Sequence, residues 1–401
     1  MKTAPIKSLL ALSAITLASS AYAVSFTQNG VTMDINGTVN GFYVNRESKV
    51  TAADGSTTKT TTTGISNGLL PGWINFVATA KVDDVNVKAH ISFAPGINDS
   101  STIVGLPTGV ENGSTGGSTS PFTQIDTRNN YFSFGTDAMG TVKIGRDIGL
   151  FAQNIILSDM TLLGVGGTAN AAIPFNTTFG MIGHGYMYTG FQAQISYTSP
   201  KVSGLQGSVG LFQPKNYAGS ASKGAGLQAN ATYDIPGALP GQIWTGLINQ
   251  KTDCQTSTAC TTQPFTANGF ELGGKINVSN FEFLAYGFQG KGLGLSTVGA
   301  PFFGGSDGSG NKTDSNGYML QGTYKMGATK FGLNFGENKD KDGAVGAGVT
   351  KKNQGMTLGV YHTLNKFITL VGEYNHEKQT TSADTSNTKN NSISLGGILF
   401  F

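Results

Sequence analysis

Along Val85–Phe93 the chain alternates without a break, with Val85, Val87, Ala89, Ile91 and Phe93 on one parity and Asn86, Lys88, His90 and Ser92 on the other. Side chains alternate faces along a strand, so this segment has one dry side and one wet side. The same period recurs elsewhere. Val31, Met33, Ile35 and Val39 alternate with Thr32, Asp34, Asn36, Thr38 and Asn40, and Ile74, Phe76, Ala78, Ala80 and Val82 alternate with Asn75, Thr79 and Lys81. The last of these runs meets Val85–Phe93 across Asp83 and Asp84, the signature of a hairpin with a tight acidic turn. Further pairs follow, through "NNYFSFG" with "TVKIG" and "GFELGGKINV" with "FEFLAYGF", to the final "NSISLGGILFF". The pattern predicts sixteen strands.

Connections alternate as well. Those at Asp83-Asp84, Ser279-Asn280 and Leu364-Asn365 are tiny, while residues 46–68, 98–120 and 290–315 read as long polar loops. Short turns at one end and long loops at the other predict an all-β fold, a transmembrane antiparallel up-and-down β-barrel of sixteen strands. Its short turns would be periplasmic and its long loops extracellular. The strand charges, among them Asp34, Lys81, Lys88, Lys143, Glu271, Lys275, Glu373 and Lys330, fall on the parity opposite the apolar set. A soluble sheet would show that segregation too, but sixteen half-dry strands would need a second layer to cover them. No stretch reads as a helix with its own apolar stripe, and a lipid bilayer is the simplest cover. An unpaired strand edge is prohibitive in hydrocarbon, so 391–401 must pair with the first strand near 31–45. Tyr43, Tyr131, Tyr188, Tyr197, Tyr233, Tyr361, Tyr374 and Phe401, near strand ends, are expected to form two aromatic girdles.

The first residues place Lys2 and Lys7 before an apolar run and Ala21-Tyr22-Ala23, which fits a secretory signal. Residues 1–23 are therefore expected to be removed, leaving 24–401 as the barrel. No later segment approaches the ~18 unbroken apolar residues of a transmembrane helix. A net charge of +3 with no basic cluster gives no case for nucleic acid. Aromatics at 10 % and the repeated alternation speak against disorder. The two cysteines, Cys254 and Cys260, lie in a polar stretch of a secreted chain, where a small disulfide ring is expected. A metal site would need further ligands, and no His lies nearby.

The signal, the run "TRNNYFSFGTDAMGTVKIGRD", the "YTSPKVSGL" with its Tyr-x-Ser-Pro turn, and the terminal Phe401 together resemble the general diffusion porins of Gram-negative outer membranes. The resemblance covers the whole mature chain. It implies a homotrimer of barrels, each with a third loop folded into the pore, and a final aromatic read by the barrel-assembly machinery. After "KIGRD" the loop from Ile148 to about Gly183 is unusually apolar, and a connection of more than ~15 residues is uncommon without a function. Residues alone allow it to fold inward or to pack at a subunit contact; the resemblance implies that it narrows the channel. Arg146 matches the family's pore-lining arginine, and Asp159 sits where the loop would offer an acid, so the two would set a field across the opening. Arg146 shares parity with Val142 and Ile144, so it faces the pore only if a bulge at Gly145 re-aims it. The sequence departs from the family at Asn75, where the second strand might supply another arginine, and at His184 near the sixth strand. Lys88, His90 and Arg128 are the candidate pore-facing cations in their place.

These features imply a water-filled channel for passive diffusion of ions and small hydrophilic solutes, with no cofactor, no metal and no energy source. Two rivals are an outer-membrane enzyme and a substrate-specific channel. The first would need Ser or Asp beside a His at a strand rim, and the four histidines have no such spacing. The second would need inward aromatics for a sugar, or a ladder of Lys or Arg for an anion. Phe212, Tyr286 and Phe288 lie on the inward parity, whereas the inward lysines are scattered and offset by Glu271, Glu282 and Glu373.

Overall fold

The computed structural model describes residues 23–97, 125–168, 177–188, 190–213, 224–252, 263–293, 305–307 and 309–401. Nineteen strands form one closed sheet. In chain order they are β1 (Val24–Gln28), β2 (Val31–Thr51), β3 (Thr57–Ser66), β4 (Trp73–Val82), β5 (Val85–Pro95), β6 (Ile125–Asp126), β7 (Asn130–Thr136), β8 (Gly140–Ile148), β9 (Phe191–Thr198) and β10 (Leu205–Phe212). The remainder are β11 (Gly226–Ile235), β12 (Gly241–Thr252), β13 (Phe265–Val278), β14 (Phe281–Lys291), β15 (Asp314–Met326), β16 (Thr329–Lys341), β17 (Thr350–Thr363), β18 (Ile368–Thr381) and β19 (Asn387–Phe400).

They fill sixteen positions in the wall, because two positions are interrupted and one strand is an appendage. β3 pairs with the upper part of β2 and β4 with its lower part, so the two continue one another along a single neighbour. β6 and β7 do the same along β5. The barrel closes where β19 meets β2, from Asn387 opposite Thr51 to Phe400 opposite Thr38. Beyond that point Phe401 exchanges backbone hydrogen bonds with Gly37, 2.8 and 3.0 Å long, and β1 then covers the rest of this edge by pairing with Val31–Ile35. This edge is thereby paired from Val31 to Ile35 and from Gly37 to Thr51, as hydrocarbon demands.

The faces divide as the alternation predicts. Ile65, Ile243, Leu247, Leu272, Leu320, Leu333 and Leu395 are exposed on the outer surface, where lipid would cover them. Gln228, Glu271, Gln321, Asn334, Thr357, Glu373 and Asn375, on the opposite parity, are buried toward the barrel axis. Tight links at Asp83-Asp84, Ser279-Asn280 and Gly327-Ala328 mark one end, and the long connections lie at the other. Asp83, Asp84 and Ser279 hold φ between +48° and +66°, the left-handed conformation that two-residue hairpin turns require.

Several expectations need correction. Residues 46–68 are mostly a hairpin rather than a loop: β2 runs on to Thr51 and β3 returns through "TTKTTTTGIS". The sixth wall strand begins at Phe191, so 185–188 belongs to the preceding loop. Of the girdle candidates, Tyr43, Tyr197, Tyr233 and Tyr374 are exposed on the outside. Tyr361 is buried on a carboxylate inside, and Tyr131 and Tyr188 line an internal cleft.

Candidate functional site

The described residues of the connection between β8 and β9, 149–168 and 177–188, enter the barrel. It contains a helical turn, Gln153–Ile156, and a 3-10 turn, Met160–Leu163. Ala152, Ile155, Phe179, Met181, Ile182 and Met187 from this loop are fully buried with Trp244, Tyr286, Phe288 and Met319 from the wall. Inward-facing aromatics that would be unfavourable beside water are thereby covered by the apolar loop, and each surface satisfies the other. Tyr286 and Phe288 thus pack beneath the loop.

Polar side chains of the wall fix the loop's backbone. Gln228 Oε1 accepts from the amides of Leu150 and Phe151, and Glu271 Oε1 accepts from the amide of Ala152 at 2.9 Å. Gln321 Oε1 accepts from Met160 N at 2.8 Å, and Glu373 Oε2 accepts from both Val165 N and Gly166 N at 2.8 Å. These anchors stand on β11, β13, β15 and β18, so the loop is held against that side of the lumen. On its other margin Leu69 N donates to Gly164 O and Thr178 N donates to Gly68 O, tying it to the link between β3 and β4.

A cleft of about 250 Å³ remains between the loop and the wall formed by β4 to β9. Its two sides differ. The wall contributes Lys88, Lys143, Asp147, His90, Asn75 and Tyr131, with Asp126 from β6 and Arg128 from the link into β7, while the loop contributes Ile156, Leu157, Leu162, Phe179 and Ile182. Arg128 lies between the rings of Trp73 and Phe191, 5.4 Å from each centroid, and its Nε donates to Asp126 at 3.2 Å. Lys143 pairs with Asp147 and sits 4.9 Å from the Tyr131 ring, with Lys88 5.8 Å from the same ring. His90 Nε2 bonds Asn75 Oδ1 at 2.9 Å, and its Nδ1 lies 3.3 Å from Tyr131 Oη. Among the described residues three cations thus face two acids, and Lys88 is the cation that forms no ion pair.

The sequence candidates separate. Lys88, His90 and Arg128 come together in the cleft, joined by Lys143 and Asp147. Asp159 does not line it. It is 3 % exposed and lies within the loop's own fold, accepting from Thr161 N, Met181 N and Tyr186 Oη at 2.7 to 3.1 Å and facing Asn334 at 3.4 Å. Burial pushes its carboxyl above the usual carboxylate range, against the pull of those hydrogen bonds. Nor does Arg146 line the cleft. The pairing runs through Gly145 without an inserted residue, so Arg146 keeps the outward parity and its Nε donates to the Thr127 carbonyl at 2.9 Å. Asp147, one residue on, takes the inward place. His184 is buried in the loop, 3.7 Å from Glu377, and burial lowers it to about 4. Cys254 and Cys260 lie outside the described residues.

A family model described as Gram-negative porin matches residues 8–382. The chain belongs to that family. This porin is an outer-membrane channel for passive diffusion of ions and small hydrophilic solutes. No curated protein matches it. Among solved structures it is similar to the outer membrane channel DcaP of Acinetobacter baumannii, with a TM-score of 0.67 at 17 % identity over 94 % of this chain and 100 % of that one. It is also similar to the in-vitro folded, trimer form of OmpT of Vibrio cholerae (TM-score 0.55, 16 % identity, 93 % and 100 % covered). A third is Salmonella typhi OmpF in complex with daunomycin (TM-score 0.53, 13 % identity, 93 % and 100 % covered). At such identities these likenesses show the barrel fold alone.

Proposed function

We propose that solutes cross this porin through the cleft between the third loop and the β4–β9 wall, and that Lys88 gives the passage a weak preference for anions. The observation that carries this reading is the inequality of charge: among the described residues Lys143 and Arg128 each pair with an acid, and Lys88 forms no ion pair. Among its described residues the loop side adds Ile156, Leu157 and Leu162 and no acid to the lining. In a confined, partly low-dielectric passage one unmatched charge is enough to bias ion flow. The test is the reversal potential in a planar bilayer under a potassium chloride gradient. Wild type should reverse on the anion-favouring side, and Lys88→Gln should move toward zero. A cation-favouring wild type, or a variant that reverses where wild type does, would remove Lys88 from the passage.

We further propose that the functional unit is a homotrimer, in keeping with the trimer form of the Vibrio cholerae structure. Cleavage after Ala23 would start the mature chain at Val24, the first residue of β1. Phe401, bonded through its backbone to Gly37 at the closing seam, is the residue through which the barrel-assembly machinery would read the completed strand.

A further inference from the structure

One side of the cleft offers nothing to an inorganic ion. Besides Ile156, Leu157, Leu162 and Phe179 of the third loop, Leu69 and Leu70 from the link between β3 and β4 line it. Ile156 and Leu162 are 7 and 8 % exposed and Leu157 is half-buried, so hydrocarbon reaches the cleft surface. The loop's polar residues in the lining, Gln153, Thr177 and Thr178, are uncharged, and the Thr178 hydroxyl donates back to the Val165 carbonyl at 2.7 Å. Ala152 N and Met160 N are held by the wall, and Gly164 O by Leu69 N, at 2.8 to 2.9 Å. Leu157 and Leu162 therefore stand on backbone that is pinned on both sides. A passage for hydrated ions alone gains nothing from these leucines, which supply no hydrogen bond in place of the water they displace.

The other side of the cleft supplies one spare positive charge. Arg128 pairs with Asp126 and Lys143 with Asp147, while among the described residues Lys88 forms no ion pair. A solute that uses both sides carries one anionic group and a compact hydrocarbon body. A second carboxylate at the far end of that body would lie against leucines, where an unpaired charge is costly. On the footing of the passage proposed above, we infer that this porin selectively admits organic monoanions, whose apolar body faces Leu157 and Leu162 while the carboxylate faces Lys88. The cleft, at about 250 Å³, has room for an aromatic ring bearing a carboxylate.

The experiment is planar-bilayer recording of the porin with potassium chloride on one side and potassium benzoate, acetate or terephthalate on the other, read as permeability ratios. In free solution the smaller acetate moves faster than benzoate. Through this channel benzoate should exceed acetate by about threefold or more, because only the ring gains from the dry side. Terephthalate, with a carboxylate at each end of the ring, should fall below benzoate. Leu157→Ser should bring benzoate down to acetate or lower, and Leu157→Met should keep it ahead. In wild type, acetate or terephthalate level with benzoate or ahead of it would overturn the inference, whether or not a variant inserts. So would a Leu157→Ser channel that still favours benzoate, or a loss of the preference in both variants alike. A potassium chloride gradient separates this failure from that of the passage. Anion-favouring reversal that shifts in Lys88→Gln, with no advantage for benzoate, would leave Lys88 in the passage and reject the dry side alone.

Discussion

Glu373 is the strongest of the wall's holds on the third loop. Its Oε2 accepts from the amides of Val165 and Gly166 at 2.8 Å, and its Oε1 accepts from the hydroxyl of Tyr361 at 2.6 Å, all out of water. Gly164 leaves room for it: a Cβ there would stand 2.0 Å from Oε1. In Glu373→Gln the remaining carbonyl oxygen can still face both amides, and the new NH₂ can face Tyr361. Two charge-assisted bonds become neutral ones, a loss of about 1 to 1.5 kcal/mol each and so about 2 to 3 kcal/mol from the docked loop. At tenfold per 1.4 kcal/mol, the population of the undocked loop rises roughly 30- to 140-fold. Glu373→Ala goes further, because two buried amides lose their partner at about 1 to 3 kcal/mol apiece. The assay is single-channel recording in a planar bilayer. Loop release should appear as excursions to a higher conductance, rarest in wild type, more frequent in Glu373→Gln and most frequent in Glu373→Ala. Equal frequencies in all three would refute the idea that this carboxylate restrains the loop.

Three further substitutions examine other parts of the structure. Leu272→Lys puts a cation on the exposed apolar face of β13 and should lower the unfolding free energy in lipid vesicles by about 2 to 4 kcal/mol, measured by urea titration. A neutral effect would mean that this face does not meet hydrocarbon. Gly37→Val drives a side chain into the carbonyl of Trp73, 2.1 Å from an ideal Cβ, and the ring of Phe401 at 2.7 Å. The seam should weaken by about 1 to 3 kcal/mol, seen as a lower temperature for loss of the compact band on unboiled gels; an unchanged temperature would argue against the closure described. Arg146→Gln should leave the reversal potential of wild type unchanged, since Arg146 faces away from the cleft. A shift comparable to that of Lys88→Gln would return Arg146 to the passage.

The period of two made the wall legible because one face of every strand must suit hydrocarbon, and the resulting parity is written residue by residue. It failed where that constraint lapses. The Thr-rich β3 reads as a loop since its residues rise beyond the apolar band, where both faces can be polar. Lys88, His90 and Arg128 could be placed in the lumen from parity and position alone. Asp159 could not be placed, because its partners Tyr186 and Asn334 are distant in sequence and turn it away from the opening. Trp244, Met319, Tyr286 and Phe288 look misplaced on an inward parity until the apolar loop is laid over them. Both halves of that contact were visible in the sequence, the loop's apolar character and the inward aromatics, but nothing local joined them.

The most direct test of the proposed passage uses Lys88→Cys with Cys254 and Cys260 replaced by serine, recorded in a planar bilayer before and after a bulky thiol reagent. If ions pass between the third loop and the β4–β9 wall, labelling confirmed by mass should cut the single-channel conductance several-fold. Full conductance through a quantitatively labelled channel would place the route elsewhere in the barrel.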